Sequence, residues 1–259
     1  MISLEQLRHE ADAMTEQLIT VRRDLHAHPE LAFQEVRTAG VVANKLNELG
    51  YEVQTGVGKT GVVGLLEGAG TGVGKTLLLR FDMDALPIFE QVDVPFKSQT
   101  DGVMHACGHD AHTSIGLGVA ELLARHREAW SGTAKFVFQP AEEIVGGALA
   151  MIQDGVLNDP KPDHTLSMHV WSMDELGKIG MTDGPTMAAA DGFKIIVLDG
   201  APMAPRRIRA QTQSWRQLKL CWRCRRLSRA MSTRWIRPSS RSARFTVAAP
   251  RILCRMWSN

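Results

Sequence analysis

The segment from His105 to Thr113 reads HACGHDAHT, and it places four metal-binding or proton-transferring side chains within eight residues. A thiolate and an imidazole two residues apart, as in Cys107 and His109, can bind one borderline-soft divalent ion from a single turn of chain. Each imidazole nitrogen needs a defined partner, so this crowding indicates chemistry rather than packing. The pattern favours a metal site, with a polar turn around one buried cysteine as the alternative.

Two other stretches offer further ligands. Glu142 and Glu143 follow a predicted strand and Pro140. Adjacent side chains on an extended chain point to opposite sides, so one carboxylate could bind a metal while its neighbour takes the proton of a metal-activated water and passes it to a leaving amine. His169, in the mostly apolar stretch 166–171, is a candidate ligand. The alternatives are a solvated acidic pair and a hydrogen-bonded core histidine.

Two competing chemistries are rejected. The glycine-rich stretch 69–76 resembles a relaxed phosphate-binding loop, but the apolar run 77–81 that follows predicts a strand. A phosphate-binding loop needs a helix at that point, so nucleotide binding is not expected. Cys107 as a protease nucleophile would need a histidine base oriented by a third group. A thiolate between His105 and His109 suits a metal better.

Apolar side chains recur at helical spacing or form short runs typical of strands. The buried run at 77–81 leads to Asp82 and Asp84 at a strand end, where α/β folds carry functional loops. Strands that alternate with helices predict an α/β fold, a layered catalytic domain with a mixed sheet. Helices are predicted over 4–25, from 35 or 38 to 49, over 113–126 and over 146–153, and strands over 51–53, 62–66, 77–81, 135–138, 166–171 and 192–198.

Composition narrows the class of protein. Hydrophobic residues make up 44% of the 259, which is enough for a packed core. No apolar run approaches the length that spans a bilayer, and the mixed-charge start is unlike a secretory signal. Four cysteines without a regular framework are typical of a reducing compartment. We therefore predict a cytoplasmic protein that makes no membrane contact.

The net charge of +2 conceals two unlike parts. Residues 1–200 hold 15 Lys and Arg and all 28 Asp and Glu. Residues 201–259 hold the other 15 Lys and Arg, with no acidic residue, no glycine and no histidine. Hydrophobic periodicity is also lost after Gly200, so neither helix nor strand is predicted there.

Four motifs together resemble the metal-dependent amidohydrolases, a family that includes hippurate hydrolase, N-acyl-amino-acid amidohydrolases and plant auxin-conjugate hydrolases. The resemblance runs in order from about residue 5 to residue 198. It implies hydrolysis of the amide bond of a small-molecule N-acyl amino acid substrate. The motifs are RDLHAHPEL at 23–31, DMDALP at 82–87, HACGHDAHT at 105–113 and QPAEE at 139–143.

The resemblance also implies a site with two divalent metal ions, for which manganese, zinc and cobalt are candidates. Two ions about 3.5–4 Å apart would hold the nucleophile and polarise the carbonyl. By motif position, the implied residues are Cys107 as bridging ligand, His109, Glu143 and His169 as further ligands, Glu142 as general base, Asp84 as a support behind the site, and Asp110 as a residue that orients a ligand.

The family's fold places a smaller α+β domain, which covers the site and commonly forms the homodimer contact, within the α/β catalytic domain. By resemblance, we predict the metal-binding catalytic domain over 1–185, the first strand of the inserted lid or dimerisation domain over 186–200, and an irregular basic tail over 201–259 that is not natively folded. The family supplies two later histidines, one for transition-state charge and one as a ligand, and the tail has neither.

The composition of the tail has three explanations. Its composition is what a GC-rich gene read in the wrong frame would produce, so we hypothesise a frameshift near codon 200, with premature termination and low or no hydrolysis. A non-enzyme alternative is an inactive remnant that binds metal without catalysis. The third is a basic arm for nucleic acid, since arginine clusters bind phosphate nonspecifically, and it ranks below the frameshift.

Overall fold

The computed structural model describes residues 2–181, 183 and 184, together with the backbone of four strands farther along the chain. The chain divides into two compact units, Met1–Glu175 and Leu176–Asn259. All four motifs lie in the first unit. A search of the described helices finds none with the length and apolar character of a membrane span.

Five strands form the sheet of the first unit: β1 (Glu52–Val57), β2 (Gly61–Glu67), β3 (Lys75–Asp82), β4 (Gly132–Gln139) and β5 (His164–Ser167). Their order across the sheet is β1-β2-β4-β3-β5. The pairs β1–β2 and β2–β4 are antiparallel, whereas β3 runs parallel to both β4 and β5. The predicted α/β fold with a mixed sheet is therefore confirmed.

Helices cover both faces of this sheet. They are α1 (Leu4–Ala13), α2 (Thr15–Ala27), α3 (Val36–Glu48), α4 (His109–Arg125) and α5 (Gly147–Gln153), with a short 3₁₀ helix at Arg127–Ala129. Alternate side chains of β4 point to opposite faces. Phe136 and Phe138 pack in a core with Leu46 of α3, whereas Val137 packs on the other face with Met151 of α5.

Two helices differ from their predicted bounds. The helix predicted over 4–25 is interrupted at the buried Met14, whose N–H is shared between the carbonyls of Glu10 and Ala11, a tightened last turn that separates α1 from α2. The helix predicted from residue 113 begins earlier, at His109. Its first turn is buried through polar side chains, so the apolar periodicity on which the prediction relied starts only after that turn.

The strand predicted over 166–171 is wrong at both ends. β5 covers His164–Ser167, and His169 follows it. The ladder with β3 ends where Ser167 pairs with Arg80. The N–H of Val170, which a longer ladder would use, donates to the side chain of His112 instead.

The second unit contains a four-stranded antiparallel sheet. Its strands are β6 (Gly192–Val197), β7 (Arg206–Gln211), β8 (Arg244–Phe245) and β9 (Ile252–Arg255), in the order β7-β6-β9-β8. The first strand was predicted, but the expectation of no strand after Gly200 is wrong. Ladder hydrogen bonds use backbone groups alone, so strands can form without clear apolar alternation. The domain boundaries at residues 185 and 200 stay a prediction.

Candidate metal centre

Three parallel strands bring the motif residues to one edge of the first sheet. Because β3, β4 and β5 run in the same direction, the loops that leave their carboxyl ends lie side by side. Asp84 follows β3, Glu142 and Glu143 follow β4, and His169 follows β5. His109 joins them as the first residue of α4.

The four predicted ligands and the predicted base lie together in the structure. Cys107 Sγ is 3.4 Å from His169 Nε2, and His109 Nε2 is 3.9 Å from both Glu143 Oε1 and Glu142 Oε2. The ligand atoms of Cys107, His109 and His169 lie within 4.8 Å of one another, as do those of His109 and the two glutamates. Sulfur, imidazole and carboxylate donors of this kind suit a divalent transition metal.

The ring of His109 is oriented as a metal-binding imidazole would be. Its Nδ1 donates to Asp84, 2.8 Å from the carbonyl oxygen and 3.2 Å from Oδ1. The other nitrogen, Nε2, and Glu143 Oε1 are both buried, and neither has a hydrogen-bond partner among the described residues. Buried polar atoms without partners are costly, and a cation between these two would satisfy both. The residues present therefore fit a divalent metal ion.

The carboxylate of Asp84 organises the backbone of the loop that follows β4. Its Oδ1 accepts the N–H of Glu142 and its Oδ2 accepts the N–H of Glu143, each at 3.0 Å. Asp84 is almost completely buried and also binds His109. One carboxylate thus connects the imidazole of His109 to the backbone of both glutamates. Hydrogen bonds of this kind hold metal ligands in a fixed orientation.

The acidic groups around His109 make the cluster strongly attractive to positive charge. Burial lowers the pKa of His109, but the hydrogen bond with Asp84 and the nearby negative groups of Cys107 and Asp82 outweigh burial and raise that pKa to about 11. Burial raises the pKa of Glu143 above its ordinary value, against the opposing effects of Cys107 and His109, and the charges of Glu142 and Asp84 add to the rise. The negative groups around His109 therefore favour positive charge at this place, and a divalent cation would supply that charge.

Asp110 contacts residues of α2 and not the predicted metal ligands. Its Oδ2 accepts a hydrogen bond from His26 Nδ1 at 2.7 Å and forms an ion pair with Arg22 Nε at 2.8 Å, which ties α2 to α4. The hydrogen bond to Asp110 raises the pKa of His26 against the effect of burial, and Glu90 adds to this rise. Within residues 2–181, no hydrogen bond or ion pair joins the Asp110 side chain to a predicted ligand. These contacts do not support the expectation that Asp110 orients a ligand.

Comparison with known proteins shows the family to which this chain belongs. A model of the family described as Peptidase family M20/M25/M40 matches residues 78–252. The chain belongs to this family. The family resemblance inferred from the four motifs is thereby confirmed.

M20 relatives at 43–46% identity cover most of the chain. The probable hydrolase sll0100 of Synechocystis sp. is 46% identical over 192 residues, 74% of this chain and 48% of that protein. The N-acyl-L-amino acid amidohydrolase of Geobacillus stearothermophilus is 43% identical over 195 residues, 75% of this chain and 52% of that protein. The crystal structure of the Bacillus subtilis YXEP protein, described as a dinuclear metal binding peptidase from the M20 family, has a TM-score of 0.66 and 44% identity, covering 72% of this chain and 51% of that one. The chain thus spans about half the length of these relatives.

Sequence reasoning missed two buried residues that support this M20 site. His112 bonds to Asp82 and to the backbone of Val170, and its place within HACGHDAHT was the available signal. Glu35 is fully buried and accepts the N–H of Ala141, a partner 106 positions away in the sequence. No local pattern pointed to Glu35, because contacts at such separation leave no periodic signature.

Proposed function

We propose that this chain is a metal-dependent amidohydrolase that cleaves the amide bond of N-acyl amino acids. The observation that carries the proposal is the pair of buried, unpartnered atoms His109 Nε2 and Glu143 Oε1, which face each other at 3.9 Å while Nδ1 of the histidine is tied to Asp84. The name of the Geobacillus relative, an N-acyl-L-amino acid amidohydrolase, supports the substrate class.

Two divalent ions would be held by Cys107, His109, Glu143 and His169. The dinuclear description of the YXEP protein supports this number of ions. Zinc, manganese and cobalt suit a mixed set of sulfur, nitrogen and oxygen donors. When bound, such ions lower the pKa of a water molecule and polarise the substrate carbonyl.

Glu142 would transfer the protons of the reaction. Its side chain is 42% exposed, while its backbone N–H is held by Asp84, so the carboxylate is accessible on a fixed backbone. It would accept a proton from the attacking water and deliver that proton to the amide nitrogen as the carbon–nitrogen bond breaks. The products are a carboxylate and the free amine of the amino acid. Cytoplasmic location and a homodimer formed through the second unit are further parts of the proposal.

A second candidate is a chain that binds metal without catalysis. His169 is the last histidine in the sequence, so no later histidine is present to stabilise transition-state charge or to complete the ligand set. This candidate binds metal as the amidohydrolase would, and it differs only in that it does not hydrolyse the substrate. The two are therefore separable by measuring metal content and hydrolysis on the same sample.

The test is a metal analysis of the purified chain combined with hydrolysis of N-acetyl- and N-benzoyl-amino acids in the presence of Mn²⁺, Zn²⁺ or Co²⁺. We expect bound metal in this chain with low or no release of amine, and clear release in a frame-corrected chain, where Glu142→Gln abolishes it and Glu128→Gln, which alters an exposed carboxylate elsewhere, leaves it unchanged. Bound metal without release of amine in both chains favours the second candidate. Absence of bound metal in the wild-type chain contradicts both.

A further inference from the structure

Both ring nitrogens of His112 are occupied. The backbone N–H of Val170 points at His112 Nε2 at 2.9 Å, and because an amide N–H only donates, Nε2 is an acceptor without a proton. The proton is then on Nδ1, which donates to Asp82 Oδ1 at 2.5 Å. Asp82, His109 and His112 are close enough to form a metal-binding group, but His112 has no nitrogen left for a metal. His112 is therefore excluded as a ligand.

The residue that His112 holds is also the residue that orients His169. The carbonyl of Val170 accepts a hydrogen bond from His169 Nδ1 at 2.5 Å. His169 Nε2 then faces Cys107 Sγ at 3.4 Å. The rings of His112 and His169 meet edge to face, with centroids 4.5 Å apart. A continuous chain of contacts thus runs from buried His112, through the backbone of Val170 and the ring of His169, to the sulfur of Cys107.

This chain of contacts fixes a part of the structure that has little other support. His169 and Val170 follow the end of β5 and are exposed, whereas His112 is completely buried. The side chain of Val170 also packs on Gly108, where an added Cβ would lie 2.4 Å from Val170 Cγ2. An exposed histidine loses rotamer freedom when it binds a metal, and a fixed backbone with a bonded Nδ1 reduces that cost.

We propose that His112 is a positioning residue for the metal centre: it anchors the backbone of Val170 through the N–H of that residue, and the Val170 carbonyl then orients His169 so that Nε2 faces Cys107. The inference rests on the proposed metal-dependent function. It predicts that the acceptor at Nε2 matters for metal affinity, whereas the donor at Nδ1 serves the packing of α4 against β3.

Two variants separate these roles. His112→Gln places an amide oxygen near the position of Nε2 and keeps an acceptor for Val170. His112→Asn keeps a donor near Nδ1 for Asp82 and loses that acceptor. Affinity for Co²⁺ would be measured by titration, following the near-ultraviolet absorption of the cobalt thiolate. The variant Cys107→Ser gives the background from the other cysteines.

We expect His112→Asn to weaken Co²⁺ binding about tenfold to a hundredfold and His112→Gln to stay within about threefold of wild type, as is usual when only a group behind the ligands is altered. The unfolding temperature of the metal-free protein should fall by a similar amount in both variants, since both replace a buried ring. Equal affinity in all three proteins, or equal loss in both variants, would overturn the inference. Failure of the wild-type chain to bind Co²⁺ would instead overturn the proposed function.

A measurement on the metal-free wild-type chain keeps the inference testable if His112→Asn does not fold. Two-bond ¹H–¹⁵N correlation spectra report the tautomer of each histidine. We expect His112 to carry its proton on Nδ1 and the Val170 amide to be protected from hydrogen exchange despite its exposed side chain. A proton on His112 Nε2, or rapid exchange at Val170, would contradict the proposed anchor.

Discussion

Glu35 reaches the backbone of Ala141, and its Oε1 accepts the Ala141 N–H at 2.8 Å. Because Asp84 accepts the next two amides, three successive N–H groups of the loop after β4 donate to buried carboxylates. Ala141 has a φ of +50°, a left-handed conformation that is costly for a residue with a Cβ. These bonds hold the backbone of Glu142 and Glu143 in a conformation that it would not otherwise favour.

Replacement of Glu35 tests this arrangement through stability. Glu35→Ala leaves the buried N–H of Ala141 and the hydroxyl of Thr60 without their common partner. We expect the free energy of unfolding, measured by urea denaturation, to fall by about 1–3 kcal/mol. Glu35→Gln, which keeps an acceptor oxygen, should lose less. An unchanged urea midpoint in Glu35→Ala would contradict the role assigned to this carboxylate.

Asp84→Asn tests the support of the metal centre. The new amide group keeps one acceptor but turns an NH₂ towards one of the two N–H groups that Asp84 accepts from Glu142 and Glu143. We expect Co²⁺ affinity to fall about tenfold to a hundredfold. The exposed Asp93→Asn removes the same charge far along the loop and should leave the affinity unchanged. Equal affinities in the two variants would exclude Asp84 as a support.

The contact between Val170 and Gly108 can be tested with alanine at Gly108, and alanine at Gly50 provides a matched control. Their φ values of +87° and +81° are both left-handed, so alanine at either position should cost about 1–2 kcal/mol of stability. An added Cβ at Gly50 meets nothing within 4 Å, whereas at Gly108 it meets Val170. We therefore expect Gly108→Ala, and not Gly50→Ala, to weaken Co²⁺ binding in the same titration. Equal binding by the two variants would show that Val170 can shift without disturbing the centre.

Glu121 should make the stability of the first unit depend on pH. Burial raises the pKa of Glu121, but hydrogen bonds from Lys45, Arg125 and Gln17 outweigh burial and lower that pKa below the ordinary 4.5. A lowered pKa in the folded state means that the ionised carboxylate contributes stability above about pH 4.5, and that this contribution is lost as the pH falls through the folded pKa.

We accordingly expect Glu121→Gln to be less stable than wild type by about 1 kcal/mol at pH 7, with the difference closing towards pH 3. Urea denaturation at pH 7, 5 and 3 measures the difference directly. Glu52→Gln, at an exposed position of β1, is the control and should follow wild type at each pH. A difference that persists unchanged at pH 3 would refute the electrostatic origin.

The change of composition after residue 200 has a test at the level of the gene. We expect that reading the DNA in another frame from about codon 200 gives a continuation that contains glycine and histidine and resembles M20 relatives. Stop codons or unrelated sequence in the shifted frames would contradict the frameshift hypothesis. The family match extends to residue 252, so the present reading frame and each shifted frame should be compared with M20 relatives from about codon 200 to codon 252.

The residues of the candidate site could be predicted because their types are chemically distinctive. Cys107 and His109 stand out by their spacing in HACGHDAHT, His169 stands out in an apolar stretch, and the family resemblance implied Glu143 as the glutamate ligand. The structure brings all four together. The exact start of α4 could not be predicted, because buried polar groups such as His112 replace the apolar residues of its first turn. Hydrogen bonds between distant residues, as from Ala141 to Glu35, leave no sequence period at all.

The position of β3 has a consequence for how the chain folds during synthesis. β3 lies between β4 and β5 in the sheet, and both of these neighbours are made after it. At the usual rate of roughly 5–20 residues per second, the apolar β3 emerges from the ribosome and remains for several seconds with no strand to pair with. Until Gly132–Gln139 has been made, this segment stays open to non-native contacts, and slowing translation between the two strands would lengthen that exposure.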